Sequence, residues 1–207
     1  VDFGIELASE HQNRATSYIM ARNNLIYHAH TAGVSVGGYA PERGHAEHCT
    51  VINNTLYDND TSGTGSGEFQ MQWNMADNIF ANNIVYAGPR CLMTVNKSKF
   101  ERNQPPVAID HNLYYCASGP KASTWEESSA HLTGFDNYVQ STGNDRHSHF
   151  QDPHFVDPAT NDFHLRPDSP AIAAGRTHGI PVGELDLESS QRVKSGHIDI
   201  GCYQNRQ

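Results

Sequence analysis

ANNIVY, Ala81 to Tyr86, has three gapless counterparts along the chain: RNNLIY (Arg22 to Tyr27), INNTLY (Ile52 to Tyr57) and DHNLYY (Asp110 to Tyr115). The second asparagines, Asn24, Asn54, Asn83 and Asn112, stand 30, 29 and 29 residues apart, and the closing tyrosines, Tyr27, Tyr57, Tyr86 and Tyr115, repeat the same steps. A fixed period of this length is the signature of a solenoid. Upstream of each asparagine, apolar residues alternate as on a strand with one buried face: Ile19 and Ala21, Cys49 and Val51, Val107 and Ile109, and Phe80 in the third coil, where Asn78 breaks the pattern. A second column precedes it, with Ile5 and Leu7, Val34 and Val36, Phe69 and Met71, and Met93 and Val95 as the inward pairs. The expectation is an all-β chain, a right-handed parallel β-helix of 29–30 residues per coil with at least two short strands in each.

Identical asparagines stacked one coil apart can hydrogen-bond along the axis and satisfy the backbone of a tight turn, which is a structural task. The tyrosines are read as stacked packing residues with wet hydroxyls. Residues 1–118 are assigned to the coils, and residues 119–207 to a loop region, a last coil and a cap of the same domain. The Gly-rich DNDTSGTGSG (Asp58 to Gly67) reads as a protruding loop, and Lys121 to Asp145 as loop with a short helix near Glu126 to Ala130. In the tail, SPAIAAG (Ser169 to Gly175) reads as a last turn and DIGCY as a final strand covering the open end of the stack, which a solenoid must protect.

Composition narrows the function classes. Only 18% of residues are charged and the formal charge is -9, so the basic footprint needed for nucleic acid is missing. The same charge disfavours a polyanionic glycan unless Ca²⁺ bridges the carboxylates. No apolar run has the length to cross a bilayer, and a strand at Val1 to Leu7 with no cap before it suggests a processed fragment, attached to a catalytic domain or to further N-terminal coils. Four cysteines, Cys49, Cys91, Cys116 and Cys202, lack metal-type spacing. They allow three full pairings, Cys91 with Cys116 among the bonds compatible with the chain, and the expectation is that most are free thiols.

From Trp125 onward, TGNDRHS (Thr142 to Ser148), DPHFVDP (Asp152 to Pro158), DFHLRPDSPAIAAG (Asp162 to Gly175) and DIGCYQ (Asp199 to Gln204) resemble the C-terminal region of bacterial secreted right-handed β-helix proteins. GIELASE and GVSVGGY resemble coils of the same broad group, which includes polysaccharide lyases, epimerases, glycosidases and β-helix carbohydrate-binding modules. The resemblance implies the fold and a secreted or cell-surface, bacterial setting. One scaffold carries unrelated functions, so activity must be argued from a site.

The outward positions of the second column form a polar stripe, Glu6, Ser35, Gln70 and Thr94, continued by Gln72, Asn96 and Lys97, with Tyr39, Arg43, His45, His48, Glu68 and Trp73 beside it. Three chemistries are compared on it. A glycosidase needs two facing carboxylates, yet Glu6 and Glu68 lie two coils apart, roughly 10 Å. A lyase or epimerase needs a cation or Ca²⁺ beside a base, for which Lys97 with Arg43, or His45 and His48, are the candidates. A binding module needs aromatic faces and hydrogen-bonding groups, and Trp73, Gln70, Gln72, Glu68, Tyr39, Glu6, Ser35 and Asn96 could supply them, with Trp125 and Tyr138 as further faces. The GHAEHC segment (Gly44 to Cys49) leads into a strand and lacks a metalloprotease pattern, so no metal site is assigned. The sequence reading is therefore recognition of a plant-type polysaccharide, a neutral xylan-like glycan preferred, without catalysis and without a cofactor, Ca²⁺ being reserved for a polyuronate ligand. The alternatives are a carbohydrate-active enzyme or its fragment, and a structural or adhesin solenoid.

Overall fold

Each coil turns where the repeat predicts, because its paired turn residues divide the work. The first, Asn23, Asn53, Asn82 or His111, adopts a left-handed conformation with φ of 59°, 52°, 56° and 60°, which asparagine tolerates better than most residues. The second forms the ladder. Asn54 Oδ1 accepts the backbone N–H of Asn24 and its side-chain amide at 2.9 and 2.8 Å. Asn83 receives Asn54 in the same way, at 2.9 and 3.0 Å, and Asn112 receives Asn83. Each of these amides also donates to a strand carbonyl: Asn54 to Ala21, Asn83 to Val51 and Asn112 to Phe80.

The computed structural model, which describes residues 1–98, 107–128 and 130–205, is a parallel β-helix. Strands recur in four stacks. The first sheet holds Phe3–Ser9, Ala32–Gly38, Phe69–Met71, Leu92–Asn96 and Thr124–Glu127 in parallel, with Ala130–Thr133 added antiparallel. The second holds Ala15–Ser17, His45–Glu47 and Met75–Ala76. The third is Met20–Arg22, Thr50–Ile52, Asn78–Ala81 and Val107–Asp110, and the fourth runs from Leu25–Tyr27 through Thr55–Tyr57, Ile84–Tyr86 and Leu113–Tyr115 to His149–Phe150. Inward side chains meet across the centre, Phe69 of the first sheet stacking on Phe80 of the third with centroids 4.0 Å apart. Ile19, expected inside, lies in the outermost coil before the strand and is 43% exposed. Asn78, the exception in the pattern, is buried and bridges two corners, accepting from Cys49 N–H and donating to Ala46.

One register differs from expectation. Phe69 pairs with Thr94 and Met71 with Asn96, and a bulge lies between Leu92 and Thr94 on the next pairing. Thr94 and Asn96 thus continue the inward columns, and the outward column reads Glu6, Ser35, Gln70, Val95 and Glu126. A one-residue slip exchanges the two faces, and the extra residue at the bulge lets Met93 remain in the core.

The two closures of the stack are also redistributed. The expected helix at Glu126 to Ala130 is instead a strand pair, and the helix lies at Phe135–Thr142. It covers the end of the core, Tyr138 stacking on Trp125 at 4.5 Å. There the asparagine ladder ends on Asp145, whose carboxylate accepts from Asn112 Nδ2, Ser148 Oγ, Tyr114 Oη and Tyr138 Oη. DIGCYQ forms no strand and does not cover the end. With the rest of the tail it lies along the flank, where Ile180, Val182 and Ile198 cover Ile52 and Ala81 of the third sheet. Phe155, Phe163 and Ile200 cover Ile84 and Leu113 of the fourth. Three of the column tyrosines succeed one another under this cover with tilted rings, Tyr57 to Tyr86 at 4.5 Å and Tyr86 to Tyr115 at 5.0 Å, with Phe163 4.8 Å from Tyr57, while Tyr27 is 41% exposed and meets Phe163 at 5.6 Å. Buried Arg192 holds the tail by donating to Gly201 O, Cys202 O and Asn23 Oδ1. Asp58 to Gly67 does not protrude freely: Asp60 accepts the backbone N–H groups of Thr64, Gly65, Ser66 and Gly67, and Thr61 and Ser62 hydrogen-bond to Ala29 and His30 of the preceding coil. Cys91 and Cys116 form a disulfide, while Cys49 and Cys202 are buried free thiols.

Asn83→Ala removes an acceptor for two buried donors and should destabilise the protein by about 2–4 kcal/mol in urea denaturation. Asn24→Ala, at the half-buried end of the ladder, should cost about 1 kcal/mol. The Cys91–Cys116 bond closes a separation of 25 residues, so its reduction should lower the unfolding free energy by about 3 kcal/mol, measured with and without a thiol reductant.

Candidate functional site

Because the tail lies over the third and fourth sheets, a ligand would have to meet the second sheet or the rim of the first, whose central strands Ala32–Gly38 and Phe69–Met71 are buried on both faces. The first sheet's edge is shaped by Gly37 and Gly38. Gly37 has φ of 134°, and a Cβ there would lie 2.8 Å from that of Gln72. Gly38 and Trp73 then exchange backbone hydrogen bonds, Gly38 N–H to Trp73 O at 2.6 Å and Trp73 N–H to Gly38 O at 3.3 Å. This bridge places half-buried Trp73 beside the turn that begins at Tyr39. Tyr39 is 56% exposed and carries the Arg43 guanidinium 4.1 Å over its ring. The turn is pinned by Asn74, whose amide donates to Ala40, Pro41 and Gly44 carbonyls. Glu6 and Lys97 are exposed on the same sheet, and Gln72 is half-buried between them.

Other expected contact residues are occupied internally. Gln72 Nε2 donates to Ser35 Oγ at 2.7 Å, Ser35 Oγ donates to Gln70 Oε1 at 3.2 Å, and Gln70 Nε2 donates to Ser66 Oγ at 2.9 Å. Ser35 and Gln70 are buried within this line of side chains. Asn96 faces inward and donates to Glu127 Oε2 at 2.9 Å, and burial pushes the Glu127 carboxyl up to about 7. Trp125 and Tyr138 are fully buried. Glu68 is not on the outer face: it is buried at the corner before the first sheet, accepting from Asn59 N–H at 2.8 Å and Asn59 Nδ2 at 2.6 Å. Asn59 in turn accepts from Ala29 N–H and donates to Ile26 O, so this is a second ladder closed by a carboxylate. Burial pushes Glu68 up to about 8.

The set Glu6, Glu68, Lys97 and His48 is therefore not assembled. His48 sits at the corner between the second and third sheets, its ring stacked on Tyr18 at 4.8 Å and 4.0 Å from Asp77. His45 lies 3.3 Å from Glu47, which also accepts from Ser17. That second-sheet cluster holds Glu47 below the ordinary carboxylate range, through Ser17 first and then His45.

Two features escaped the sequence reading. A cleft of about 410 Å³ opens between the corner at residues 58–61 and the segment 88–92, and Arg90 reaches across it to Asp60 O at 3.0 Å. Gly88 and Pro89, directly after a column tyrosine and its alanine, mark the place in the repeat where this corner departs from its neighbours. Second, Asp110, His111 and His147 converge at the last turn. Burial holds the His111 imidazole below its ordinary range, opposed by the Asp110 charge and helped by His147 and Arg176. Against burial, hydrogen bonds from His147 and His111 hold the Asp110 carboxyl low. The signal for the second was the histidine in DHNLYY, standing where the other three segments have asparagine.

No helix among the described residues is long and apolar enough to cross a membrane. No family model matches the chain. No solved structure matches it. An uncharacterized protein of Bacillus subtilis (strain 168), YwoF, is 34% identical over 170 residues, which are 82% of this chain and 36% of that protein. The chain thus spans little more than a third of that relative's length.

Glu68 provides a stability test. Its folded-state carboxyl, at about 8 against an ordinary 4.5, retains a proton that the unfolded chain has released. The associated stability is full below about pH 4.5 and is lost as pH rises toward about 8, with a slope of at most about 1.4 kcal/mol per pH unit. Asp145, at about 6, and Glu127, at about 7, act in the same direction. The Tm should fall between about pH 5 and pH 8. Glu68→Gln, which loses one acceptor toward Asn59, should melt lower throughout but with a flatter upper slope, read by calorimetry across pH.

Proposed function

We propose that this chain is a secreted or cell-surface module that recognises a polysaccharide at the outer rim of its first sheet, with a neutral, xylan-like glycan as the preferred ligand. The observation that carries the reading is the Gly38–Trp73 backbone bridge, which sets half-buried Trp73 beside the turn that opens at exposed Tyr39. Aromatic faces bind the apolar faces of sugar rings while adjacent amides and carboxylates meet the hydroxyls. Gln72, Glu6 and Lys97 provide those polar groups. The chain's formal charge of -9 favours a neutral glycan over a polyanion.

The internal hydrogen-bond line from Gln72 to Ser66 supports the reading in a second way. It fixes the surface beneath a ligand before binding, which lowers the ordering cost of association. The carboxylates with raised protonation, Glu68, Glu127 and Asp145, are buried and engaged in structural hydrogen bonds, so the binding reading assigns them no contact with the glycan. No cofactor is part of this proposal; Ca²⁺ belongs to it only for a polyuronate ligand.

Affinity electrophoresis through gels containing xylan, mannan, β-glucan, pectate or alginate tests the proposal, with assays for new reducing ends and unsaturated products on the same samples. Retardation by xylan or another neutral glycan without product is expected. Trp73→Ala should weaken it at least tenfold and Tyr39→Ala severalfold, while Trp73→Phe should retain part of it. Absence of retardation in every gel, or the appearance of products, would overturn it.

A further inference from the structure

The left-handed residues of the turn column point outward, and three of the four bind the tail. Asn23 donates to Leu185 O, Asn53 donates to Asp199 O, and Asn82 exchanges hydrogen bonds with the Arg176 backbone. The fourth, His111, occupies the same backbone conformation and meets a different set of partners. Asp110 precedes it at the end of its strand, and the segment that follows the capping helix brings in His147.

Asp110 is oriented before any ligand arrives. Its Oδ1 accepts the backbone N–H groups of His111 at 2.9 Å and His147 at 2.8 Å. Its Oδ2 is left toward the two rings, 3.3 Å from His111 Nδ1 and 2.6 Å from His147 Nδ1. The two imidazoles are stacked, centroids 5.0 Å apart and planes at 27°. One ligand atom from each residue falls within 4.8 Å of the others, and His111 Nδ1 is buried without a hydrogen-bond partner despite its nearness to the carboxylate. An orphaned ring nitrogen aimed at an oriented carboxylate and a second imidazole is a donor set in need of an acceptor of electron pairs.

We propose that Asp110, His111 and His147 form a binding site for a divalent transition-metal ion of the zinc class. Two imidazoles and one carboxylate are ligands that suit such an ion, whereas an all-oxygen set would suit calcium. Bonds of about 2.0–2.1 Å in a tetrahedron place ligand atoms about 3.3 Å apart. The Asp110–His111 separation already has that value. The Asp110–His147 separation must open by about 0.7 Å, and the His147 side chain, stacked on the His111 ring, is 68% exposed. A fourth tetrahedral position would be left for water or a ligand oxygen. The guanidinium of Arg176 and the ring of His149 are near enough to influence His111; their charge opposes a bound cation and limits its affinity. Occupancy would join the segment after the capping helix to the last coil, so the ion would brace the cap. This site is separate from the Tyr39–Trp73 surface and independent of the glycan reading.

The test uses untagged protein stripped with a chelator, equilibrium dialysis against ZnCl₂ with metal quantification, and thermal melts with and without zinc. One equivalent should bind and raise the Tm. His111→Asn installs the residue that the same turn carries in the other three coils, so it should fold normally and lose at least tenfold in affinity. His147→Ala, at an exposed position, should do the same. His164→Gln, which alters the distant His164–Asp162–Glu188 cluster, should bind as the parent does. No stoichiometric zinc in the parent, or parent-like binding by both His111→Asn and His147→Ala, would overturn the proposal.

Discussion

The structure depends on the register of one side-chain amide upon the next. Asn24, Asn54, Asn83 and Asn112 lie where each coil passes from its third sheet to its fourth, and each must satisfy backbone groups that the tight turn removes from the strand ladders. Because an amide carries two donor hydrogens and an acceptor, identical residues in successive coils can satisfy one another and a strand carbonyl at once, which a hydroxyl, with one donor hydrogen, or a carboxylate, with none, could not do. The ladder has a direction, donors pointing toward the C-terminal end. It therefore needs a terminal acceptor, and Asp145 with Ser148 supplies it beneath the capping helix. A second, shorter ladder obeys the same rule, Asn59 ending on Glu68. Asp145 and Glu68 are thus both ladder ends, and their raised protonation follows from being enclosed there.

With the coils held in register, the tail decides which surfaces remain. The third and fourth sheets are apolar on both faces, through Ile52, Ala81, Ile84 and Leu113 outside and Val51, Phe80, Val85 and Tyr114 inside. Their outer faces are buried under residues 153 to 204, anchored by Arg192 and by the outward asparagines of the turn. That leaves the second sheet and the rim of the first, around Glu6, Tyr39 and Lys97, as the side turned to solvent. The ligand surface proposed above is thus defined by exclusion as much as by its own residues, and Tyr39 and Trp73 are aromatic side chains of what is left, as is exposed Tyr18.

Substituting His111 into an otherwise uniform asparagine column changes what the turn can do without changing its shape. Three coils use this outward position to hold the tail; in the fourth, where the segment after the helix takes the tail's place, an imidazole and a carboxylate face a second imidazole. A repeat can acquire chemistry at one coil in this manner because its backbone conformation is already provided by the others.

The parallel stacking, the turn position, the asparagine ladder and the tyrosine column were all legible in the residues, because each follows from a period that identical side chains repeat in one register. The face of Thr94 and Asn96 was not, since a single bulge at Leu92 to Thr94 reverses it and no local pattern marks a bulge. Nor were the burial of Glu68, the lateral course of DIGCYQ, or the meeting of Asp110 and His111 with His147, 36 residues beyond His111. The sequence by itself determined how the coils stack, through local and one-period interactions. Only the tertiary structure decided which polar groups face water and which aperiodic segments cover which sheets, because those outcomes depend on contacts between residues that share no repeat.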